Sequence, residues 1–77
     1  SHRIVSSVFY LNPDWSDENG GELILYEPDS DNILYTIRPH FGTMVLFLSE
    51  EFPHEVLPTK YDRYSIAGWF HTDNITD

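Results

Sequence analysis

The chain alternates short apolar runs with turn residues. Residues 4–11 form a run rich in β-branched and aromatic side chains, which predicts a strand. Asn12-Pro13-Asp14 ends it, because proline has no N–H to give to a ladder. An acidic loop through Asp17, Glu18 and Asn19 leads to Gly20-Gly21. Further strands are predicted over residues 22–26 and 33–37, separated by the turn residues from Pro28 to Asn32. After a turn from Pro39 to Gly42, residues 43–48 (Thr-Met-Val-Leu-Phe-Leu) read as a continuously buried strand. A loop carrying Glu50 and Glu51 leads to a short strand over 54–57, closed by Pro58. A last strand is predicted over 63–70, with the residues beyond it as a tail.

No segment sustains a 3.6-residue period between a cap and a stop, so helix does not dominate. Six short strands at regular spacing predict an all-β sandwich or jelly roll. A jelly roll uses about eight strands, so two are expected to lie outside these residues. No repeat or linker divides residues 1–77, which read as one small domain.

Composition narrows the classes. The absence of cysteine removes disulfides, thiol nucleophiles and thiolate zinc sites. Thirteen acidic and four basic side chains give a net charge of −9, the wrong sign for a nucleic-acid binder. No apolar run reaches membrane-spanning length and no leader is visible, so a cytoplasmic location without membrane contact is expected.

Two residues stand out chemically. His54 opens a strand directly after Pro53, and imidazole is the commonest protein metal ligand. A lone histidine is nonetheless more often structural. Arg63 follows nine positions later, with Ser65 two residues on and sharing its face. If 54–57 and 63–70 pair as a hairpin, His54 and Arg63 come to one end of the sheet. An arginine fork with a nearby hydroxyl can receive a carboxylate, although a surface arginine among thirteen acids commonly just pairs with one of them. Tyr10 could turn its hydroxyl to the same anion, or simply pack its ring. Trp69 reads as a core or rim aromatic, and His2 and His40 as exposed. His71-Thr72-Asp73 spells a His-x-Asp pair but falls in the expected tail. There is no glycine-rich phosphate loop and no nucleophile elbow.

Four ordered stretches carry a resemblance: Ser7-Val8-Phe9-Tyr10-Leu11-Asn12-Pro13-Asp14-Trp15, Gly20-Gly21-Glu22-Leu23, Phe52-Pro53-His54-Glu55-Val56 and Arg63-Tyr64-Ser65-Ile66-Ala67-Gly68-Trp69-Phe70. Together they resemble the C-terminal half of prolyl-4-hydroxylase-type iron(II)- and 2-oxoglutarate-dependent dioxygenases, from about residue 3 to residue 71. Arg63 favours the bacterial and oxygen-sensing branch, since collagen-type relatives carry lysine there.

The resemblance implies the C-terminal part of a double-stranded β-helix. It implies His54 as the distal histidine of a His-x-Asp…His iron site. It implies Arg63, Ser65 and Tyr10 around the far carboxylate of 2-oxoglutarate, with Val8, Leu23, Val56 and Trp69 lining that pocket. The implied cofactors are Fe(II), 2-oxoglutarate and O2, with ascorbate in support. The implied reaction is hydroxylation of a prolyl residue in a protein, with release of succinate and CO2.

The family's His-x-Asp pair lies shortly before the strand that begins near Arg3, and His2-Arg3-Ile4 does not supply it. We therefore expect a fragment that is inactive alone. Two other readings remain. One is a non-catalytic β-module that binds a carboxylate or peptide through Arg63. The other is a half-barrel that forms a homodimer through open sheet edges.

Overall fold

The computed structural model describes the backbone of residues 2–73 and the side chains of residues 4–71. Six strands appear: β1 (His2–Tyr10), β2 (Leu23–Tyr26), β3 (Ile33–Ile37), β4 (Met44–Leu48), β5 (His54–Val56) and β6 (Ser65–Asp73). They form two three-stranded antiparallel sheets, ordered β4-β1-β6 and β3-β2-β5. A single 3-10 turn, Asp17–Asn19, is capped by the Ser16 hydroxyl, which accepts the Glu18 N–H. Among the described residues no helix is long and apolar enough to cross a membrane.

The sheets share a small core of Tyr10, Leu23, Leu25 and Val45, with Val8, Ile37 and Phe47 packed against it. Each sheet therefore turns one face inward, and the ladder registers extend that face to the edges. Tyr10 lies opposite Ser65, Val8 opposite Ala67, and Ser6 opposite Trp69. On the other sheet Leu23 lies opposite Val56 and Leu25 opposite His54. β5 and β6, both edge strands, thus turn His54, Val56, Ser65 and Trp69 to the inner side, yet all four are exposed.

Four expectations need correction. The strands at 54–57 and 63–70 do not form a hairpin: β5 pairs with β2 and β6 with β1, in different sheets. The irregular stretch between them carries the chain across from one sheet to the other. β4 is not continuously buried. It alternates, with Val45 buried while Met44 and Leu46 stand on the outer face of its sheet, 61% and 60% exposed. The expected tail after Phe70 is strand, because β1 supplies partners as far as His2↔Asp73. Ser65 rather than Arg63 begins the β6 ladder, so Arg63 stands just outside the regular alternation.

The turns are built as their residues dictate. Asp14, directly after Pro13, takes a left-handed φ of 58°, which Asp tolerates better than most residues. The Gly20-Gly21 step has φ values of 81° and 76° and lies antiparallel beside residues 57–60. There Gly21 N–H donates to the Pro58 carbonyl at 3.0 Å and Lys60 N–H to the Asn19 carbonyl at 3.0 Å. An alanine Cβ at Gly20 would lie 2.3 Å from the Pro58 carbonyl oxygen, so the close approach itself requires glycine.

Candidate functional site

Arg63 sits where the two sheets meet. Its guanidinium carbon lies 5.8 Å from the centroid of the Tyr10 ring, within cation–π range. Tyr10, at the end of β1, is only 1% exposed. Gly21 lies against the arginine stem: a Cβ there would meet Arg63 Cδ at 3.1 Å and Trp15 Cζ2 at 3.4 Å. The arginine therefore has its stem against a bare stretch of backbone and its guanidinium over an aromatic ring. Trp15 is held in turn by its indole N–H, which donates to the Gly20 carbonyl at 3.1 Å. Burial raises the Tyr10 phenol above its ordinary pKa; the nearby guanidinium opposes this with a smaller effect. A neutral phenol O–H beside a permanently charged guanidinium is a donor set suited to a carboxylate.

His54 opens β5 on the inner side. Its ring meets Phe47 edge-on, with centroids 5.0 Å apart and planes at 68°. Its Nδ1 lies 3.0 Å from the Phe52 carbonyl oxygen. A carbonyl can only accept, so Nδ1 donates there, and in the neutral ring that leaves Nε2 with the lone pair. A backbone carbonyl fixing the tautomer in this way is the usual support of a metal-ligating histidine. Along the flank of β5, His54 also borders a shallow acidic groove of about 830 Å³ with Tyr26, Asp29, Asp31 and Glu55. In that groove the Tyr26 hydroxyl donates to the Glu55 carboxylate, which raises the Tyr26 pKa.

The structure brings Tyr10, Arg63, Val8 and Leu23 together around the packed end of the core. It places His54, Val56, Ser65 and Trp69 on the inner faces of the two edge strands, open to solvent. Among the described residues no three His, Asp or Glu side chains are grouped to hold a metal ion. His71 lies on β6 and is exposed, while the Asp73 side chain of the His-x-Asp pair falls outside the described residues, as does the His2 side chain. His40 is exposed and shares the Asp17 carboxylate with Arg38, at 3.4 and 3.1 Å.

Two positions carried no functional weight in the sequence. Gly21 was readable as a turn, but not as the floor beneath an arginine. Asn12 was readable as a strand stop, yet it is 4% exposed and bonded on all sides.

The pattern of the 2OG-Fe(II) oxygenase superfamily matches residues 1–71. The chain belongs to that superfamily. Among solved structures it is similar to a prolyl-4-hydroxylase of Pseudomonas putida, with a TM-score of 0.78 and 44% identity, covering 88% of this chain and 36% of that one. It is 33% identical over 69 residues to Egl nine homolog 1 of Homo sapiens, covering 88% of this chain and 16% of that protein. It is 35% identical over 77 residues to prolyl 3-hydroxylase OGFOD1 of Xenopus laevis, covering 90% of this chain and 15% of that protein. The chain therefore spans well under half the length of the relatives it matches.

Proposed function

We propose that these residues form the C-terminal part of a double-stranded β-helix in an iron(II)- and 2-oxoglutarate-dependent dioxygenase that hydroxylates a prolyl residue in a protein. The observation that carries this reading is the seat of Arg63, its guanidinium over the Tyr10 ring and its stem against Gly21, in a chain of the 2-oxoglutarate oxygenase superfamily.

In this reading Arg63 receives the far carboxylate of 2-oxoglutarate as a bidentate fork. The Tyr10 hydroxyl, kept neutral by burial, donates to the same group. Ser65, directly across the ladder from Tyr10, adds a further hydroxyl. Val8 and Leu23 form the dry floor, and Val56 and Trp69 the walls on the edge strands. A low-dielectric floor strengthens the arginine–carboxylate attraction and holds the cosubstrate in one orientation.

His54 fits one place in the iron site, with Nε2 free to ligate and Nδ1 committed to Phe52. The other ligands come from outside the described residues. When bound, iron supplies the oxidative chemistry with O2, ascorbate keeping it reduced; the residues here orient the cosubstrate and exclude water from its apolar side.

The test is a titration of 2-oxoglutarate into the chain with and without manganese(II), followed by fluorescence of Trp69 and Trp15. Saturable binding that Arg63→Ala weakens strongly supports the site, and a requirement for manganese supports the metal role. Binding that ignores manganese makes the chain a carboxylate-binding module. Binding of unchanged affinity in Arg63→Ala overturns the assignment of the anchor. The chain alone is expected to release no succinate.

A further inference from the structure

Arg63 lies in an irregular stretch, two residues before the first ladder residue of β6. Regular strand pairing therefore does not fix its backbone. The side chain of Asn12, on the far side of the sequence, reaches the next residue instead. Asn12 Oδ1 accepts the Tyr64 N–H at 2.7 Å. Asn12 Nδ2 donates to the Tyr64 carbonyl at 2.9 Å and to the Pro39 carbonyl at 2.9 Å. The Leu11 N–H adds a 3.1 Å bond to the same Tyr64 carbonyl. Both backbone groups of Tyr64 are thus held by residues 11 and 12, which immediately follow Tyr10.

We propose that Asn12 is the positioning residue for Arg63: its amide clamps Tyr64 to the end of β1 and so sets the guanidinium over the Tyr10 ring. The clamp uses one acceptor and two donors on one planar group, which among side chains of this size is the inventory of a primary amide. Tyr64 cannot hold itself by packing, since its ring is exposed. Burial makes the clamp strong, because an amide that loses these partners has no water to replace them. The ring under the guanidinium and the clamp belong to one short segment, so β1 carries both the surface that Arg63 rests on and the bracket that places it there. As a statement about binding, this rests on the 2-oxoglutarate reading above; as a statement about Arg63, it does not.

The experiment has two readouts on the full 77-residue chain. The first is the ring-current shift of the Arg63 side-chain protons in NMR spectra. Asn12→Ala is expected to abolish that shift while the amide signals of β2, β3 and β5 stay in place, which shows that the fold survives. The second is a double-mutant cycle on 2-oxoglutarate affinity in the presence of manganese(II). Asn12→Ala is expected to weaken binding about tenfold in the Arg63 background and to change nothing in the Arg63→Ala background. Unchanged Arg63 shifts in Asn12→Ala, or an equal loss in both backgrounds, would overturn the proposal. If the wild-type chain takes no 2-oxoglutarate, the cosubstrate reading fails, and the Arg63 shift still decides the role of Asn12. Should Asn12→Ala not fold, Asn12→Asp, which keeps the acceptor and loses both donors, is read in the same way.

Discussion

The central strands β1 and β2 and the edge strands β5 and β6 do different work with the same pattern of residues. β1 and β2 are each paired on both sides, and their inner residues Tyr10, Leu23 and Leu25 are buried. β5 and β6 are paired on one side only, and their inner residues His54, Val56, Ser65 and Trp69 stay open. The difference lies in neighbours rather than composition: Val56 lies directly across from Leu23, yet it is 47% exposed while Leu23 is buried. Stability should therefore sit in the centre, and ligand chemistry along the rim. Arg63 joins the two, with its stem against the centre and its place in the chain just before an edge strand.

The sharpest way to break that comparison is to truncate one aliphatic side chain to alanine in each region. Leu25→Ala is expected to cost about 3–4 kcal/mol by urea unfolding, since it leaves a cavity at the centre of the core. A domain of this size holds few kcal/mol in reserve, so this variant should be largely unfolded. Val56→Ala on the rim is expected to cost less than about 1 kcal/mol. Similar costs for the two would mean that the edge strands are covered in solution. Next in size are the two glycines beside residues 57–60. Gly20→Ala drives a Cβ into backbone and is expected to cost about 2–3 kcal/mol. Gly21→Ala meets only the flexible Arg63 stem and Thr59 and Trp15 side chains, so about 1–2 kcal/mol is expected, mainly from its positive φ. Gly21→Ala should also disturb 2-oxoglutarate binding more than its stability loss explains, because the side chain that must yield is Arg63.

Much of this was legible in the sequence, and the reasons are specific. Strand positions follow from β-branched runs cut by Pro and Gly, so all six strands were found, with the residues 33–37 boundaries unchanged. Pairing was not legible. The link from His54 to Arg63 is short enough for a hairpin, but nothing local says that it crosses between sheets. Burial in β4 is not legible for a related reason: an unbroken apolar run looks two-sided, and only the register against β1 shows that Met44 and Leu46 face outward. At the site, the residue types of Arg63, Tyr10 and His54 were visible. The support around them was not, because Asn12 acts over 52 positions through Tyr64.

A smaller effect separates the buried tyrosine from its exposed neighbours. Burial raises the Tyr10 phenol above the ordinary value of about 10. Below that pH both folded and unfolded chains hold the proton, and the stabilising contribution is complete. Above it the unfolded chain releases the proton first, so stability falls as pH rises through about 10 and continues to fall up to the folded-state pKa. Tyr10→Phe should remove this dependence and move the alkaline unfolding midpoint upward. The half-buried Tyr26 is also raised, but chiefly by its hydrogen bond to Glu55 and only secondarily by burial, so Tyr26→Phe is the control for an effect that burial does not lead. An unchanged midpoint in Tyr10→Phe would place Tyr10 with the rim rather than the centre.

The smallest expected stability change is at His54, and it isolates function from fold. The ring gives the protein one edge contact with Phe47 and one bond to the Phe52 carbonyl, and it is otherwise exposed. Its loss in His54→Ala should cost less than about 1 kcal/mol, because water can reach the carbonyl it leaves. The same substitution should remove any manganese dependence of 2-oxoglutarate binding while leaving the contact of Arg63 with the Tyr10 ring intact. A large stability loss would show that β5 holds the fold together rather than presenting a ligand. A small loss with manganese dependence retained would keep the rim open to solvent but move the metal away from His54. Only a small loss with the dependence gone leaves both halves of the comparison standing, the centre carrying the fold and the edge carrying the chemistry.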